Sequence, residues 1–149
     1  MLLNQASYAL ANRLTAALAE LGISVRVYCA LATAAEGEHT QRRLSELAWM
    51  DKTTMVVTLD EMEQRGLAER RLSPADRRVR VVAITPEGRR LVAKADRIVQ
   101  GVYDEVLGAV GTKHRAEFVA VLEQLVAGPL ASPFHLETPA RRRRQPSRA

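Results

Sequence analysis

The sequence predicts a mainly α-helical protein that carries one small β-hairpin. Ala, Leu and Val dominate a chain of 149 residues with only six aromatic side chains, which favours helices over a β-sandwich. Capping residues divide the chain into segments whose apolar residues recur at helical spacing. One valine-rich segment instead alternates like a strand, and it follows a turn signal, SPAD.

Two helices are predicted at the start of the chain. The first runs from Leu2 to Glu20, where leucines and alanines repeat at helical spacing, and Gly22 ends it. Ser24 is placed to cap the second helix, because its hydroxyl can accept a hydrogen bond from an amide of the first turn. Gly37 ends this second helix.

A helix-turn-helix is predicted next. Thr40 caps a short helix, QRRLSELAW, and Asp51 caps a longer one, KTTMVVTLDEMEQR, which stops at Gly66. A tight turn near Trp49 and Met50 separates the two helices, and the indole of Trp49 is expected to pack against the longer helix. One face of that helix is expected in the core, and it carries Met55, Leu59 and Met62.

A β-hairpin follows directly and gives the module a wing. Its strands are predicted from Leu67 to Leu72 and from Arg78 to Ile84, on either side of the SPAD turn. The segment Thr85-Pro86-Glu87-Gly88 is a helix start with a capping threonine, a proline in the first turn and an acidic residue. This helix extends to about Gly108, and Thr112 is predicted to cap a last helix.

Three regions follow from this order of elements. Residues 23–85 form the predicted winged helix-turn-helix domain. Residues 1–22 and 86–128 form a helical region whose apolar helices at both chain ends indicate dimerisation. The alternative is a monomeric bundle that packs onto its own winged domain. Residues 129–149 are rich in Pro, Ser and Arg and are expected to be a disordered basic tail.

The positive charge of the chain is unevenly distributed. The formal net charge is +5 and the pI is about 10, but residues 135–149 alone carry +4, largely from Arg141 to Arg144. That run either adds non-specific affinity for a phosphate backbone or is inert. From Arg65 to Arg80, six arginines stand against two acidic residues. The local distribution of charge, rather than its total, therefore points to a polyanion at the hairpin.

Several classes of protein are disfavoured by the composition. Cys29 is the only cysteine, so the chain forms no intramolecular disulfide and no Cys-rich zinc site, which fits a reducing cytosol. No signal peptide is recognisable, and no apolar run approaches the ~20 residues that span a membrane. The histidines are far apart, and no catalytic constellation appears. We therefore expect a soluble cytoplasmic protein without catalytic residues, metal ligands or cofactor.

Five short fragments stand in a characteristic order along the chain. They are LSELA at 44–48, DKTT at 51–54, EQRGL at 63–67, DRR at 76–78 and ITPEG at 84–88. Together they resemble the MarR (multiple-antibiotic-resistance regulator) family of winged-helix transcription factors, and the flanking helices extend the resemblance over roughly Leu10 to Val126. The resemblance implies a homodimer that binds double-stranded DNA at a pseudo-palindromic operator, commonly as a repressor.

By this resemblance, the longer helix of the helix-turn-helix is the recognition helix. Lys52, Thr53 and Thr54 are expected to reach phosphates or base edges from its first turn, where a helix presents free amides and a positive dipole end. Val57 either contacts a thymine methyl group or merely lies near the DNA. Glu61 either accepts a hydrogen bond from a cytosine amine or merely lies near the DNA. Many members carry arginine near these last two positions, so the operator sequence stays open.

The resemblance also separates the arginines of the wing by role. Arg78 occupies the position of an arginine that enters the minor groove, and Asp76 is expected to orient its guanidinium through a charge-assisted hydrogen bond. Arg77 is expected to meet phosphate, and Arg80 lies further along the strand. The helix before the turn offers two further candidate phosphate contacts, for which a solvated helix face is an equal explanation: Arg42 and Arg43.

Members of the family commonly bind small, often aromatic or phenolic anions between the helical region and the winged domain. The resemblance therefore implies an effector pocket, and its candidate lining residues are Tyr8, Arg13, Tyr28 and Trp49. Two alternatives stay open. One is a redox-sensing regulator that acts through Cys29, and the other is a constitutive or architectural DNA-binding protein without a ligand.

Overall fold

The computed structural model of the protein describes residues 1–131 and confirms the predicted fold class. The predicted basic tail, with Arg141 to Arg144, lies outside the described residues from position 132 onward. The helices are α1 (Leu2–Leu18), α2 (Val25–Glu36), α3 (Gln41–Leu47), α4 (Lys52–Gln64), α5 (Pro86–Gly108) and α6 (Thr112–Ala127), with a 3-10 turn at Ala19–Leu21. The strands are β1 (Ala68–Leu72) and β2 (Arg80–Ile84).

The predicted helix starts are confirmed wherever a polar side chain stands just before the helix. Four such side chains each accept a hydrogen bond from an amide of the first turn: Ser24, Thr40, Asp51 and Thr85. The prediction for Thr112 is wrong, because Thr112 is already the first residue of α6. Gly111 precedes it as the N-cap, with a φ of 76° that favours glycine.

The core lies where α1, α2, α4 and α5 meet around the inner face of the hairpin. The largest fully buried apolar side chains come from α1, α2, α3, α4 and β2: Leu18, Leu31, Leu44, Met55, Leu59, Met62, Val27 and Val82. The predicted inner face of α4 is thereby confirmed. Each large apolar side chain contributes about 1.5–3 kcal/mol when fully buried. The three that α4 buries fix its rotation, so its opposite face is held towards solvent.

The two strands pair antiparallel in a register that places Leu72 opposite Arg80. The amide of Ser73 donates to the carbonyl of Val79 at 2.8 Å, which closes the connection between the strands as a loop. β2 therefore begins two residues later than the sequence predicts. The exposed hairpin end carries the residues of the SPAD turn and the arginines that follow it.

Close backbone contacts fix the base of the hairpin. The amide of Val82 donates to the carbonyl of His39 at 2.8 Å, which ties β2 to the connection between α2 and α3. At the start of α5, a Cβ on Gly88 would lie 2.1 Å from the carbonyl oxygen of Leu67. Only glycine allows the first turn of α5 to approach the connection between α4 and β1 this closely. The wing is consequently anchored to the rest of the module on both sides.

The helices at the two ends of the described chain are poorly covered. α6 buries none of its residues. Large apolar side chains on α1 and α6 are exposed to solvent: Leu2, Leu3, Tyr8, Phe118, Val121 and Val126. A single protomer thus leaves much of its terminal apolar surface in water, which is costly unless another surface covers it.

Within residues 1–131, no single helix is long and apolar enough to cross a membrane. The segments Leu2–Leu21 and Val25–Glu36 pass the length and composition test only as a pair, and they meet at 76°.

Candidate nucleic-acid interface

The turn between α3 and α4 is locked by hydrogen bonds across it. The hydroxyl of Ser45 donates to the carbonyl of Met50 at 2.6 Å, and the amide of Met50 donates to the carbonyl of Ser45 at 2.9 Å. Between them, Trp49 adopts a φ of 54°, in the left-handed region that bulky residues rarely enter. Trp49 is 45% exposed, so its indole is not buried in the core, and its packing against α4 stays a prediction.

The first turn of α4 presents the polar groups predicted for it, with one difference. Lys52 and Thr53 are exposed. The hydroxyl of Thr54 instead donates to the carboxylate of Asp51 at 2.6 Å, and the amide of Thr54 donates to the same carboxylate at 2.9 Å. These two bonds hold the pKa of Asp51 below its usual value, and the bond from the Thr54 hydroxyl has the larger effect. Asp51 therefore stays ionised and fixes the start of the helix at neutral pH.

The outer face of α4 is partly apolar. Val57 is 52% exposed, as its predicted position requires, and the neighbouring Val56 is 40% exposed. Glu61 does not lie free on this face, because its carboxylate pairs with Arg26 at 3.5 Å and with Arg65 at 3.7 Å. The pair with Arg26 ties α4 to α2, whereas Arg65 lies one turn further along the end of α4 itself. A cytosine amine would have to compete with these pairs, which favours the alternative in which Glu61 merely lies near the DNA.

The arginines between 65 and 80 divide into two groups. The first group holds the module together. Its members contact the protein as follows: Arg65 donates to the Gly22 carbonyl at 2.9 Å, Arg70 pairs with Asp60 at 2.8 Å and with Glu63, and Arg71 pairs with Glu38. Their positive charge is offset by neighbouring acids, so these three contribute little to the charge that the wing presents.

The second group lies at the end of the hairpin. Arg77, Arg78 and Arg80 are exposed, and the side chain of Arg78 is 95% exposed. The carboxylate of Asp76 accepts a hydrogen bond from the backbone amide of Arg78 at 2.9 Å, whereas the guanidinium Nε lies 3.8 Å away. The predicted charge-assisted hydrogen bond to the guanidinium is therefore absent, and the two groups form only a long, exposed ion pair. Asp76 shapes the turn instead, and it leaves the guanidinium extended into solvent.

Two further candidates lie on α3. Arg42 and Arg43 are exposed, and both contact the carboxylate of Glu46, at 3.1 Å and 3.3 Å. The bond from Arg42 and then that from Arg43 lower the pKa of Glu46. A phosphate group would have to compete with this carboxylate for the two guanidinium groups. Exposed pairs of this kind contribute little to stability, so such an exchange is accessible.

The candidate effector residues are spread over several elements. Tyr8 is exposed on α1, and Trp49 lies in the turn before α4. Arg13 pairs with Glu105 at 2.7 Å, and the hydroxyl of Tyr28 donates to Asp96 at 2.9 Å. These two carboxylates are nine residues apart on α5, which corresponds to about 14 Å along a helix axis. The grouping of the four residues in one pocket stays a prediction.

A partly buried polar cluster between α2 and α5 could not be found from the sequence. Burial, and then the hydrogen bond to Asp96, raises the pKa of Tyr28. Burial also raises the pKa of the neighbouring Cys29 thiol and that of Tyr103. The thiol is thus held protonated at neutral pH, whereas oxidants react with the thiolate. The structure therefore offers no support for redox sensing at Cys29.

Residues 1–131 contain no group of three or more His, Cys, Asp or Glu side chains placed to hold a metal ion.

Comparison with known proteins identifies the family. Residues 21–79 match the profile of the MarR family. CouR from Rhodococcus jostii RHA1, solved with bound p-coumaroyl-CoA, is 31% identical, and the alignment covers 86% of this chain and 90% of CouR with a TM-score of 0.77. The chain belongs to the MarR family. A MarR-family transcriptional regulator from Rhodococcus sp. RHA1 is 30% identical, with a TM-score of 0.76 and coverage of 86% and 91%.

A curated MarR-type relative gives the same picture over part of its length. The transcriptional regulator HosA of Escherichia coli O111:H- is 35% identical over 86 residues, which are 58% of this chain and 64% of HosA. The alignment thus spans just under two thirds of HosA. Proteins with this MarR fold are transcription regulators and not enzymes. The match over residues 21–79 includes α3, α4 and the hairpin loop, and thus the candidate interface described above except for Arg80.

Proposed function

We propose that this MarR-family protein is a sequence-specific DNA-binding regulator that acts as a homodimer on a pseudo-palindromic operator. The observation that carries the proposal is the division among the arginines of residues 65–80. Those next to α4 are paired with acidic groups, while Arg77, Arg78 and Arg80 extend from the hairpin end into solvent. Exposed guanidinium groups beside a helix-turn-helix are suited to a polyanionic duplex.

In this proposal α4 enters the major groove. Its free amides and positive dipole end, together with Lys52 and Thr53, contact phosphates or base edges. Thr54 contributes mainly by fixing the helix start, because its hydroxyl proton is held by Asp51. Arg42 and Arg43 leave Glu46 to contact the phosphate backbone.

The wing in this proposal reaches the adjacent minor groove. Arg78 inserts its extended guanidinium where the groove is narrow, since narrow A·T-rich grooves carry an enhanced negative potential. Asp76 supports this insertion by fixing the turn through the backbone amide of Arg78. Arg77 contacts phosphate, and Arg80 lies at the outer end of β2.

A homodimer is the proposed active form. Residues 1–22 and 86–128 are its proposed dimerisation region, and residues 23–85 are its DNA-binding domain. The support is the exposed apolar surface on α1 and α6, of which α6 buries no residue in a single protomer. Two copies place two recognition helices on one duplex, so we expect half-sites about 10 bp apart, one helical turn of DNA.

A small aromatic or phenolic effector is proposed to control DNA binding. The support is CouR, which at 31% identity was solved with p-coumaroyl-CoA, a thioester of a phenolic acid. Tyr8, Arg13, Tyr28 and Trp49 remain the candidate contacts. The protein has one conformation that engages the operator and one that does not. Release requires that the effector bind the second conformation more tightly than the first. We further propose repression as the output and the cytoplasm as the location.

Selection of bound sequences from random or genomic DNA, followed by footprinting, tests this function. A regulator should enrich one inverted repeat and protect a short segment. Broad protection without an enriched sequence would instead support the constitutive architectural alternative. No specific observation favours redox control, because burial raises the pKa of the Cys29 thiol.

A further inference from the structure

The middle of α4 presents two adjacent valines to solvent. Val56 is 40% exposed and Val57 is 52% exposed, while the buried face of the helix is filled by other residues. β-branched side chains lose rotamer freedom in a helix, and apolar groups gain nothing from contact with water. Neither valine belongs to the buried core. The pair therefore departs from local helix preference without the burial that would offset it.

The polar side chains around the valines are engaged within the protein. Asp60 pairs with Arg70 at 2.8 Å, and Glu63 pairs with the same guanidinium. Glu61 pairs with Arg26 at 3.5 Å on the other flank of the helix. The acidic side chains that could accept hydrogen bonds from base edges near the helix centre are thus occupied. Three other polar side chains of α4 are exposed and lie towards the ends of the helix: Lys52, Thr53 and Gln64.

Only one base offers an apolar group to such a surface. In the major groove, guanine, cytosine and adenine display hydrogen-bond donors and acceptors alone, whereas thymine also displays its C5-methyl group. We propose that Val56 and Val57 read the operator through thymine methyl groups near the centre of each half-site. This inference rests on the proposed function, in which α4 occupies the major groove, and it names the chemical feature that sets specificity there.

The test compares thymine with deoxyuridine, which differs only by the missing methyl group. The probe is the duplex enriched by selection with the full chain, resynthesised with each half-site thymine replaced in turn by deoxyuridine. Loss of one buried methyl contact should weaken binding about fourfold, and loss of the equivalent contact in both half-sites should weaken it roughly fifteenfold. Deoxyuridine outside the half-sites should leave the affinity unchanged.

Variants then assign the effect to the valines. Val57→Ala and Val56→Ala should fold normally, because both side chains are exposed and alanine favours helices. At least one of them should bind the thymine and deoxyuridine probes with nearly equal affinity. Arg78→Ala is the matched control. It should weaken binding to both probes but preserve their ratio, because its side chain extends from the wing rather than from α4.

The possible outcomes separate this inference from the proposed function. Enrichment of a specific operator whose affinity changes less than twofold on every deoxyuridine replacement would overturn the methyl readout alone. A thymine preference that persists in both valine variants would also overturn it. Failure to enrich any sequence would overturn the proposed function, and the inference with it. Loss of the preference in a valine variant, with the ratio preserved in Arg78→Ala, would establish the readout.

Discussion

Close contacts around position 88 require glycine there. A Cβ at this position would lie 2.1 Å from the carbonyl oxygen of Leu67 and 2.8 Å from the side chain of Ile84. Both neighbours belong to the junction between α4, the hairpin and α5, so they have little room to move. This contact gives a physical reason for the glycine in the ITPEG fragment.

We expect Gly88→Ala to lower the free energy of unfolding by about 1–3 kcal/mol, as overpacking of a close-packed site does. Gly101→Ala is the matched control in the same helix, because a Cβ there meets nothing within 4 Å. It should raise the free energy of unfolding by up to about 1 kcal/mol, since alanine is the better helix former. Urea denaturation measures both, and a stable Gly88→Ala protein would contradict the account of this junction.

Arg77 and Arg78 are adjacent arginines for which different roles are proposed. Arg78→Ala should weaken operator binding by about 1–3 kcal/mol, the range for loss of a specific arginine contact. Arg77→Ala should cost less and should reduce the slope of log affinity against log salt by about one phosphate contact. Titration of the operator at several salt concentrations measures both effects. Wild-type affinity in both variants would rule out a DNA contact by the wing.

The sequence predicted that these arginines lie on the wing, but not which of them are available to contact DNA. Arg70 and Arg78 look equivalent in a count of charge. Arg70 pairs with Asp60, ten positions away, whereas Arg78 has only Asp76 nearby, and that carboxylate binds the backbone. Which acid neutralises which arginine depends on the packing of α4 against β1, and sequence spacing does not encode this packing.

At the scale of elements, α4 depends on the carboxylate that caps its start. Asp51 accepts hydrogen bonds from the hydroxyl and the amide of Thr54, and its pKa is lowered. Because the folded-state pKa lies below the unfolded value of about 3.9, the stabilisation is fully present above that value. It is lost as the pH falls through the lower, folded-state pKa.

Substitution of Asp51 separates the effect of its capping hydrogen bond from the effect of its titrating charge. Asp51→Ala should lower the midpoint of thermal unfolding at neutral pH and should remove this contribution to the acid sensitivity of stability. Asp51→Ser keeps a capping oxygen without a titrating group, so it should retain more of the neutral-pH midpoint and still lose the acid contribution. Thermal unfolding from pH 7 down to pH 3 measures both. Equal acid sensitivity in wild type and Asp51→Ser would contradict the assigned role.

Most elements could be predicted because their ends carry local signals. Ser24 and Thr85 precede helices with a free hydroxyl, and both cap them as expected. The error at Thr112 arose because Gly111 can reach a φ of 76° and enter the helix without a side-chain cap. The alternative left open at Glu61 has another origin. A helical wheel gives the direction of a side chain, but not the arginines that neighbouring elements bring to it.

At the scale of the whole molecule, the exposed face of α6 is the strongest indication of a second copy. Phe118 is exposed on this face. Aromatic side chains contribute much of the binding energy at protein interfaces, so Phe118 is suited to contact a second copy. Phe118→Glu should therefore shift the protein towards monomer and weaken operator binding. Gln124→Glu adds the same charge at an exposed polar position of α6 and should stay dimeric. Sedimentation at micromolar concentration measures both, and a monomeric wild type would contradict the proposed dimer.

The apolar periodicity of the sequence identified helices at both chain ends, and these helices led to the dimerisation prediction. The cluster around Tyr28 and Asp96 could not be predicted, because it joins positions 68 residues apart on two helices that pack only in the folded protein. For the same reason, Tyr8, Arg13, Tyr28 and Trp49 were selected by residue type. Their places on the first two helices and in the turn were predicted, but the contacts of Arg13 with Glu105 and of Tyr28 with Asp96 became visible only in the structure.

The most direct test of the central claim is selection of the sequence that the full chain binds. The account predicts enrichment of an inverted repeat with half-sites about 10 bp apart, because two recognition helices of a symmetric dimer engage one face of the duplex. Footprinting should show protection of that short segment. Recovery of unrelated sequences with uniform affinity would contradict the claim that this protein is a sequence-specific regulator.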